Sequence, residues 1–329
     1  MKSLSFIASR FGKALFVVLG VVILNFLLIR LAPGDPASIM AGEAASSDPA
    51  YVEQLRVQFG FDQPLYQQLW IYLKGIVQLD FGYSYRNKVP VLELIAERLP
   101  ATLLLMAPAF LFSLLLGVLL GTLAARSRYT GRNTWLDSTI MSGALLLYAT
   151  PLFWLSLLLI ILFSVHLDWL PAFGMESVGA GLTGWAHVKD VAAHLVLPVV
   201  SLGCFFMAVY ARLTRASMLE VMGMDFVKTA RAKGVPAGQV IRRHVLRNAI
   251  LPVVTFSGIQ LGQMAGGAVL TETVFGWPGI GRLMFDALMQ RDYQLLLGVF
   301  LVTSVMVVVF NLLTALVYRL VDPRIELGT

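Results

Sequence analysis

LPATLLLMAPAFLFSLLLGVLLGTLAA, residues 99–125, lies between Arg98 and Arg126 and carries no charged side chain. A helix of about 20 predominantly apolar residues crosses a bilayer, so this run spans one with length to spare. The rest of the chain resembles it in composition. Hydrophobic residues make up 58% of the 329 positions and charged residues 13%, against about 25% charged in soluble proteins. An aqueous fold could not bury that much apolar surface, and lipid must cover much of it. The single Cys204 excludes a disulfide framework within one chain and sits in an apolar run, where it reads as a small packing residue.

Working outward, five further stretches are long enough to span: residues 14–32, 138–167 interrupted by Pro151, 191–211 with Pro198 inside, 248–271 with Pro252 near its start, and 293–318. The first has a basic start (Lys2, Arg10, Lys13) but runs on into Pro33-Gly34-Asp35-Pro36 without a small-x-small cleavage site, so it reads as a retained helix rather than a signal peptide. The expected fold class is all-α: a polytopic membrane protein of six transmembrane helices, forming a single transmembrane domain over residues 1–329. Residues 33–99 form the larger first outer segment, a helical cap whose elements break at Pro49, Pro64 and Pro90. A shorter outer loop covers 272–292.

Lys and Arg set the orientation, because they accumulate in short cytoplasmic loops. With the N-terminus inside, the cytoplasmic segments hold 16 of the 25 basic residues, 8 of them between Arg212 and Arg247. The two short outer loops hold three, Lys189, Arg282 and Arg291, and the remaining six lie in or beside the long first outer segment. Both termini are expected in the cytoplasm. The net charge of +6 is then a topology signal, with no nucleic-acid partner implied and membrane lipid as the surrounding medium.

Residues 212–247 are the cytoplasmic coupling region, and DFVKTARAKGVP (225–236) is its most informative part. Asp225 reads as an N-cap, Gly234 as a left-handed terminator, and Pro236 blocks continuation. Arg231 and Lys233 suit the negative end of the helix dipole. Phe226, Val227 and Ala230 can share an apolar side. A helix this short is marginal alone and needs a surface. Anionic headgroups or a groove on a soluble partner fit the pattern about equally well.

Thr229-Ala-Arg-Ala-Lys-Gly234, continued by His244-Val-Leu-Arg-Asn-Ala-Ile-Leu-Pro252, resembles the cytoplasmic coupling loop of bacterial ABC importer permeases, in particular the B-type subunits of the peptide/nickel class. The general family pattern is Glu-Ala-Ala, three residues, Gly, then nine residues and an apolar-x-Leu-Pro ending. Here Ala230 matches the second Ala, while Lys228 and Thr229 replace Glu and the first Ala. At the ending, over His244, Leu246 and Arg247, only Leu246 agrees. Further matches run along nearly the whole chain: Pro33-Gly-Asp-Pro36, Asp80-Phe-Gly-Tyr-Ser84, Arg212-Leu-Thr-Arg-Ala-Ser-Met-Leu219, Glu272-Thr-Val-Phe-Gly-Trp-Pro-Gly-Ile-Gly-Arg282, Arg291-Asp-Tyr293 and Asp322-Pro-Arg324.

The resemblance implies an inner-membrane subunit paired with a homologous second permease and seated on two cytoplasmic ATPase subunits. An extracytoplasmic substrate-binding protein delivers a peptide-like solute. No cofactor belongs to this chain; ATP and Mg belong to the ATPases, whose closure switches the pathway by alternating access. In this reading Asp225 caps the coupling helix, Phe226 and Val227 anchor it, Ala230 and Gly234 allow close approach to an ATPase groove, and Arg231 and Lys233 make polar contacts.

Within the spans, Gly258, Gly262 and Gly266 recur every four residues, with Gly267 next, and read as a helix-packing face. Gly117 and Gly121 repeat the spacing. Polar groups in hydrocarbon face protein or a wet pathway, which makes Asn25, Ser257, Gln260 and Gln263, with Met264, candidates to line the translocation path. A secondary, ion-coupled transporter is the alternative function. It usually needs carboxylates inside the membrane, and of 19 acidic residues none falls at the middle of a span, Asp137 standing at a cytoplasmic edge. Metal-ligand clustering, HExxH, GxSxG and Walker A patterns are absent, so the chain reads as neither an enzyme nor an ATPase by itself.

Overall fold

The structure is a computed structural model, described here for residues 2–31, 35, 37–38, 41, 48–58, 60–84, 86–131 and 133–321. The motif residues Pro33, Gly34, Pro36 and Asp322 to Arg324 lie outside the described residues. Among the described residues the chain is helical with one short hairpin. In order come α1 (Lys2–Leu31), α2 (Pro49–Gln58), α3 (Leu65–Val77), β1 (Tyr83–Ser84) paired antiparallel with β2 (Val89–Pro90), α4 (Val91–Thr130), α5 (Thr134–Ala149), α6 (Leu152–His166), α7 (Gly184–Met222), α8 (Asp225–Ala232), α9 (Ala237–Phe275), α10 (Ile280–Met289) and α11 (Tyr293–Val321).

Among the described residues α4, α7, α9 and α11 are each long and apolar enough to cross a membrane. The third expected span is a bent pair, with α5 and α6 meeting at 104°. Pro151 is therefore a sharp break within this span. Its missing N–H and ring end one helix and start the next, and Leu155 N donates to the Pro151 carbonyl at 3.0 Å. The apolar part of α1, Leu15–Leu28, is shorter than the other spans.

The chain divides into two compact units, Met1–Thr102 with Pro278–Val308, and Leu103–Trp277 with Val309–Thr329. In the first unit the prolines mark element boundaries as expected: Pro49 opens α2, Pro64 precedes α3 and Pro90 ends β2. Asp35 ties the segment after α1 to α2. Burial opposes ionisation of its carboxyl, but hydrogen bonds from Ser38 (2.9 Å) and Arg56 (2.9 Å) outweigh it and hold the group below the usual carboxylate range.

Two of the sequence motifs meet in this unit. Ser84 donates to the Asp292 carboxylate at 2.5 Å, and Asp292 in turn accepts from Leu295 N at 3.2 Å, capping α11. Gln294 donates to the Phe81 carbonyl at 3.2 Å. Around them Val91, Ile95, Ile280, Leu283, Leu295 and Val299 form an apolar core. The expected loop 272–292 is mostly helix, because Gly276 (φ 62°) ends α9 in the left-handed region and α10 starts four residues later, its Ile280 N–H bound to the Thr102 hydroxyl at 2.8 Å.

In the second unit α4 buries Leu105, Ala109, Ser113, Gly117, Gly121 and Ala125, while Leu111, Leu115, Leu119 and Leu123 are exposed on another face. Four-residue spacing lays down an i±4 ridge. The glycines let α7 come close: a Cβ on Gly117 would sit 2.9 Å from the Met207 carbonyl, and one on Gly121 would be 3.1 Å from the Arg215 nitrogen. Packing is thus the role of these two glycines. Ser156 and Ser201 join α6 to α7 through a buried hydroxyl pair at 2.6 Å.

Candidate functional site

The short helix α8 forms where the sequence places it, and its end follows the expected chemistry. Gly234 adopts φ 78°, Gly234 N donates to the Arg231 carbonyl (2.8 Å) and Val235 N to the Ala230 carbonyl (3.2 Å). That bond pair is a Schellman cap. The start differs from expectation. Met224 is the N-cap residue and Asp225 already lies in the first turn, where its carboxylate accepts from Lys228 at 2.8 Å. That neighbouring ammonium holds the Asp225 carboxyl below its usual range.

The apolar side of α8 also divides differently. Val227 (1% exposed) and Ala230 (8%) are buried against Met218, Val221, Met222, Val240, Ile241 and Val245 of the same chain, while Phe226 is 41% exposed. Ala230 faces the chain's own core. Its small size lets α8 sit on its own core. The chain beyond Pro236 supports this packing. A π-helical turn over Val240–Val245 accommodates five-residue spacing and puts Val240 and Val245 in one cluster. Arg231 is also used internally, with its guanidinium 4.3 Å from the ring centre of Tyr129 in α4. The face left outward carries Asp225, Phe226, Lys228, Thr229, Arg231, Ala232 and Lys233.

A part-buried ion pair that sequence reading did not join anchors the end of α7 leading into α8. Arg215 donates from Nε and an η-nitrogen to the two Asp137 oxygens at 2.5 and 2.7 Å, with Asp137 only 4% exposed. Asp137 is thus neutralised by a fixed partner. Beside the pair is a cavity of about 730 Å³ lined by Met141, Tyr148, Arg212, Arg215 and Phe256, with Arg212 lying 5.6 Å from the Tyr148 ring centre. That volume is within the ~300–1,000 Å³ of small-molecule sites.

The path candidates separate. Ser257, Gln260 and Met264 turn into the interior of the second unit. The Ser257 hydroxyl donates to the Val253 carbonyl at 2.9 Å, and Gln260 Nε2 is buried without a hydrogen-bond partner. Gln263 is on an exposed stripe with Thr255, Ile259, Gly266 and Leu270. Asn25 is half-buried in α1, in the first unit. Of the glycine series, Gly258 is buried against Thr314 of α11, Gly262 is half-buried, and Gly266 has open space where a Cβ would stand. The three do not form one packed seam within the chain.

Comparison with known proteins places this arrangement. Residues 117–327 match the binding-protein-dependent transport system inner membrane component family, and residues 3–106 match the N-terminal region described for membrane components of the same transport systems. The chain belongs to this family of multi-pass inner-membrane transport permeases. It is 40% identical over 340 residues to the dipeptide transport system permease protein DppB of Escherichia coli K12, covering 98% of this chain and 99% of that one. The di/tripeptide permease DppB of Pseudomonas aeruginosa UCBPP-PA14 is equally similar, at 40% over 337 residues with the same shares covered. Among solved structures, an inward-facing MetNI methionine ABC transporter chain superposes with a TM-score of 0.56 at 17% identity, covering 70% of this chain and 96% of that one. An amino acid ABC transporter solved with histidines gives 0.51 at 19%, covering 69% and 94%. The fold is that of an ABC importer transmembrane subunit.

Proposed function

We propose that this chain is one of two homologous permease subunits of an ATP-driven importer for di- or tripeptides. It works with two cytoplasmic ATPases and a binding protein on the opposite face. The observation that carries the reading is α8, a capped helix locked onto its own core with a polar face turned out, in a chain similar end to end to two peptide permeases. Asp225, Phe226, Lys228, Thr229, Ala232 and Lys233 form the ATPase contact, with Arg231 and Gly234 fixing the helix in place. The neutralised Asp137 favours this reading over ion coupling, which needs a carboxylate free to change charge. Gln263 is the path-lining candidate that the exposed stripe of α9 retains, and the 730 Å³ cavity at Arg212 has the size for a small peptide. The test is reconstitution with the neighbouring ATPases and binding protein. Hydrolysis should rise when a dipeptide-loaded binding protein is added, and no stimulation by any peptide would remove the reading.

In this arrangement the chain is a single transmembrane domain of six spans. Residues 33–99 lie outside and 212–247 inside, with both termini cytoplasmic. Membrane-impermeant labelling of single cysteines should therefore modify Ala50→Cys from outside and leave Gly238→Cys untouched; both positions are exposed. Strong external labelling at 238 would reverse the topology.

A further inference from the structure

Helix α3, LYQQLWIYLKGIV, is inverted for a helix that meets water. Its buried side holds Gln68, whose amide donates to the Phe61 and Gln63 carbonyls at 3.2 and 2.7 Å. Its outward side holds Tyr66 (71% exposed), Trp70 (69%) and Val77 (84%), which fall at i, i+4 and i+11 and share one face. Leu65 and Ile71 are exposed too, and Lys74 is the single charged residue of the helix. The neighbouring α2 shows the ordinary arrangement, with Val52 and Leu55 in a core and Glu53 and Gln54 outward. An apolar face of this kind marks a contact with lipid or protein.

Where α3 is held decides between them. Tyr72, on its inner side, stacks on Phe26 of α1 with ring centres 5.9 Å apart and planes at 23°. Phe26 lies in the last turn of the apolar stretch Leu15–Leu28. One turn further on, the Arg30 guanidinium stands 5.3 Å from the Phe26 ring centre and 4.8 Å from that of Phe61. The middle of α3 is thus fixed where α1 passes from apolar to charged, the level at which a span leaves hydrocarbon for headgroups. Leu24, Leu27 and Leu28 of α1, at the same level, are exposed as well. Trp and Tyr concentrate at that boundary, and a Lys there keeps its ammonium among the headgroups. A binding protein that docks and leaves would bare the face to water in every cycle.

We infer that α3 is an interfacial helix of the outer leaflet, with Tyr66, Trp70 and Val77 set at the boundary between phospholipid acyl chains and headgroups. The choice of leaflet rests on the orientation that puts residues 33–99 outside. The outer segment is then tied to the membrane by α3 as well as by the spans at its two ends.

The experiment uses the assembled transporter in phosphatidylethanolamine–phosphatidylglycerol nanodiscs, with the free Cys204 replaced by Ser and a nitroxide on single introduced cysteines. Labels at Trp70→Cys and Val77→Cys should collide more with oxygen, which concentrates in lipid, than with a water-soluble nickel chelate. A label at Glu53→Cys, on the exposed side of α2, should show the reverse. A second measurement leaves the helix unlabelled: brominated phospholipid should quench the tryptophan emission of the wild type more than that of Trp70→Phe. Chelate collision at 70 and 77 as frequent as at 53 puts the face in water and overturns the inference. Low collision with both reagents means that protein covers the face and also overturns it. External labelling of Gly238→Cys would move α3 to the inner leaflet and overturn the assignment of leaflet. Lipid contact at 70 and 77 in a complex that no dipeptide-loaded binding protein stimulates would remove the importer reading and leave this inference standing.

Discussion

Replacing Ala230 with Arg is expected to detach α8 from the chain and abolish transport while the spans still insert. Ala230 is 8% exposed and packed with Val227, Val240 and Ile241. Overpacking such a site costs about 1–3 kcal/mol, and an unpaired charge at a buried position adds several kcal/mol more. An eight-residue helix has little intrinsic stability to set against that loss. Protease cleavage between 223 and 240 should become fast in the purified protein. Ala232→Arg is the contrasting variant, because Ala232 is exposed on the outward face. It should keep the protease resistance and melting temperature of the wild type but lose stable association with the ATPases. If Ala230→Arg stays folded and fails only in ATPase binding, Ala230 belongs to the contact and the burial assigned to it is wrong.

Asp137→Asn should be the most damaging single polar change in the second unit. It leaves the Arg215 guanidinium facing a neutral amide that cannot accept two charge-assisted bonds. Breaking a fully buried pair costs about 3–5 kcal/mol. Arg215 retains 26% side-chain exposure, so the expected loss is at the lower end, about 3 kcal/mol. In detergent this should appear as a lower melting temperature and weaker retention of the ATPase subunits. Arg215→Lys should recover only part of the loss, because an ammonium cannot bridge both oxygens in the plane of the carboxylate. The pair Asp137→Leu with Arg215→Met should be more stable than either single change, since no charge is then stranded. A melting temperature unchanged in Asp137→Asn would show that the pair does not hold α5 to α7.

What the sequence made legible were features with local causes. The charge-free run at 99–125, the stop at Gly234 and the prolines at element boundaries depend on residues within one or two turns. The orientation of α8 did not. Val227 and Ala230 form an apolar side equally suited to the chain's own core or to a partner, and periodicity cannot say which surface fills it. The abrupt angle at Pro151 was hidden for a related reason, since a proline in an apolar run fits a kink or a full break, and packing of the neighbours decides. The Asp137–Arg215 pair joins residues 78 positions apart. Its partners were visible separately, one as an edge charge and one within a motif. Ser257 and Gln260 were candidates because of polarity, with Met264 beside them, and the structure turned all three inward, since polar groups in a bundle can equally face other helices.

The Ser84–Asp292 bond has a consequence for biosynthesis. Its two residues are 208 positions apart, and the first unit is assembled from the two ends of its sequence, Met1–Thr102 and Pro278–Val308. A ribosome adding ~5–20 residues each second needs roughly 10–40 s to make the stretch between them. For that interval the early segment has been synthesised without the cap residue that its serine binds, and the core around Val91 and Ile95 lacks Ile280, Leu295 and Val299. The other unit has by then received everything except its last strip of chain. The nascent protein therefore matures from its middle outward in sequence. A truncation just before residue 278 would leave the earliest-made segment as the part unable to finish folding.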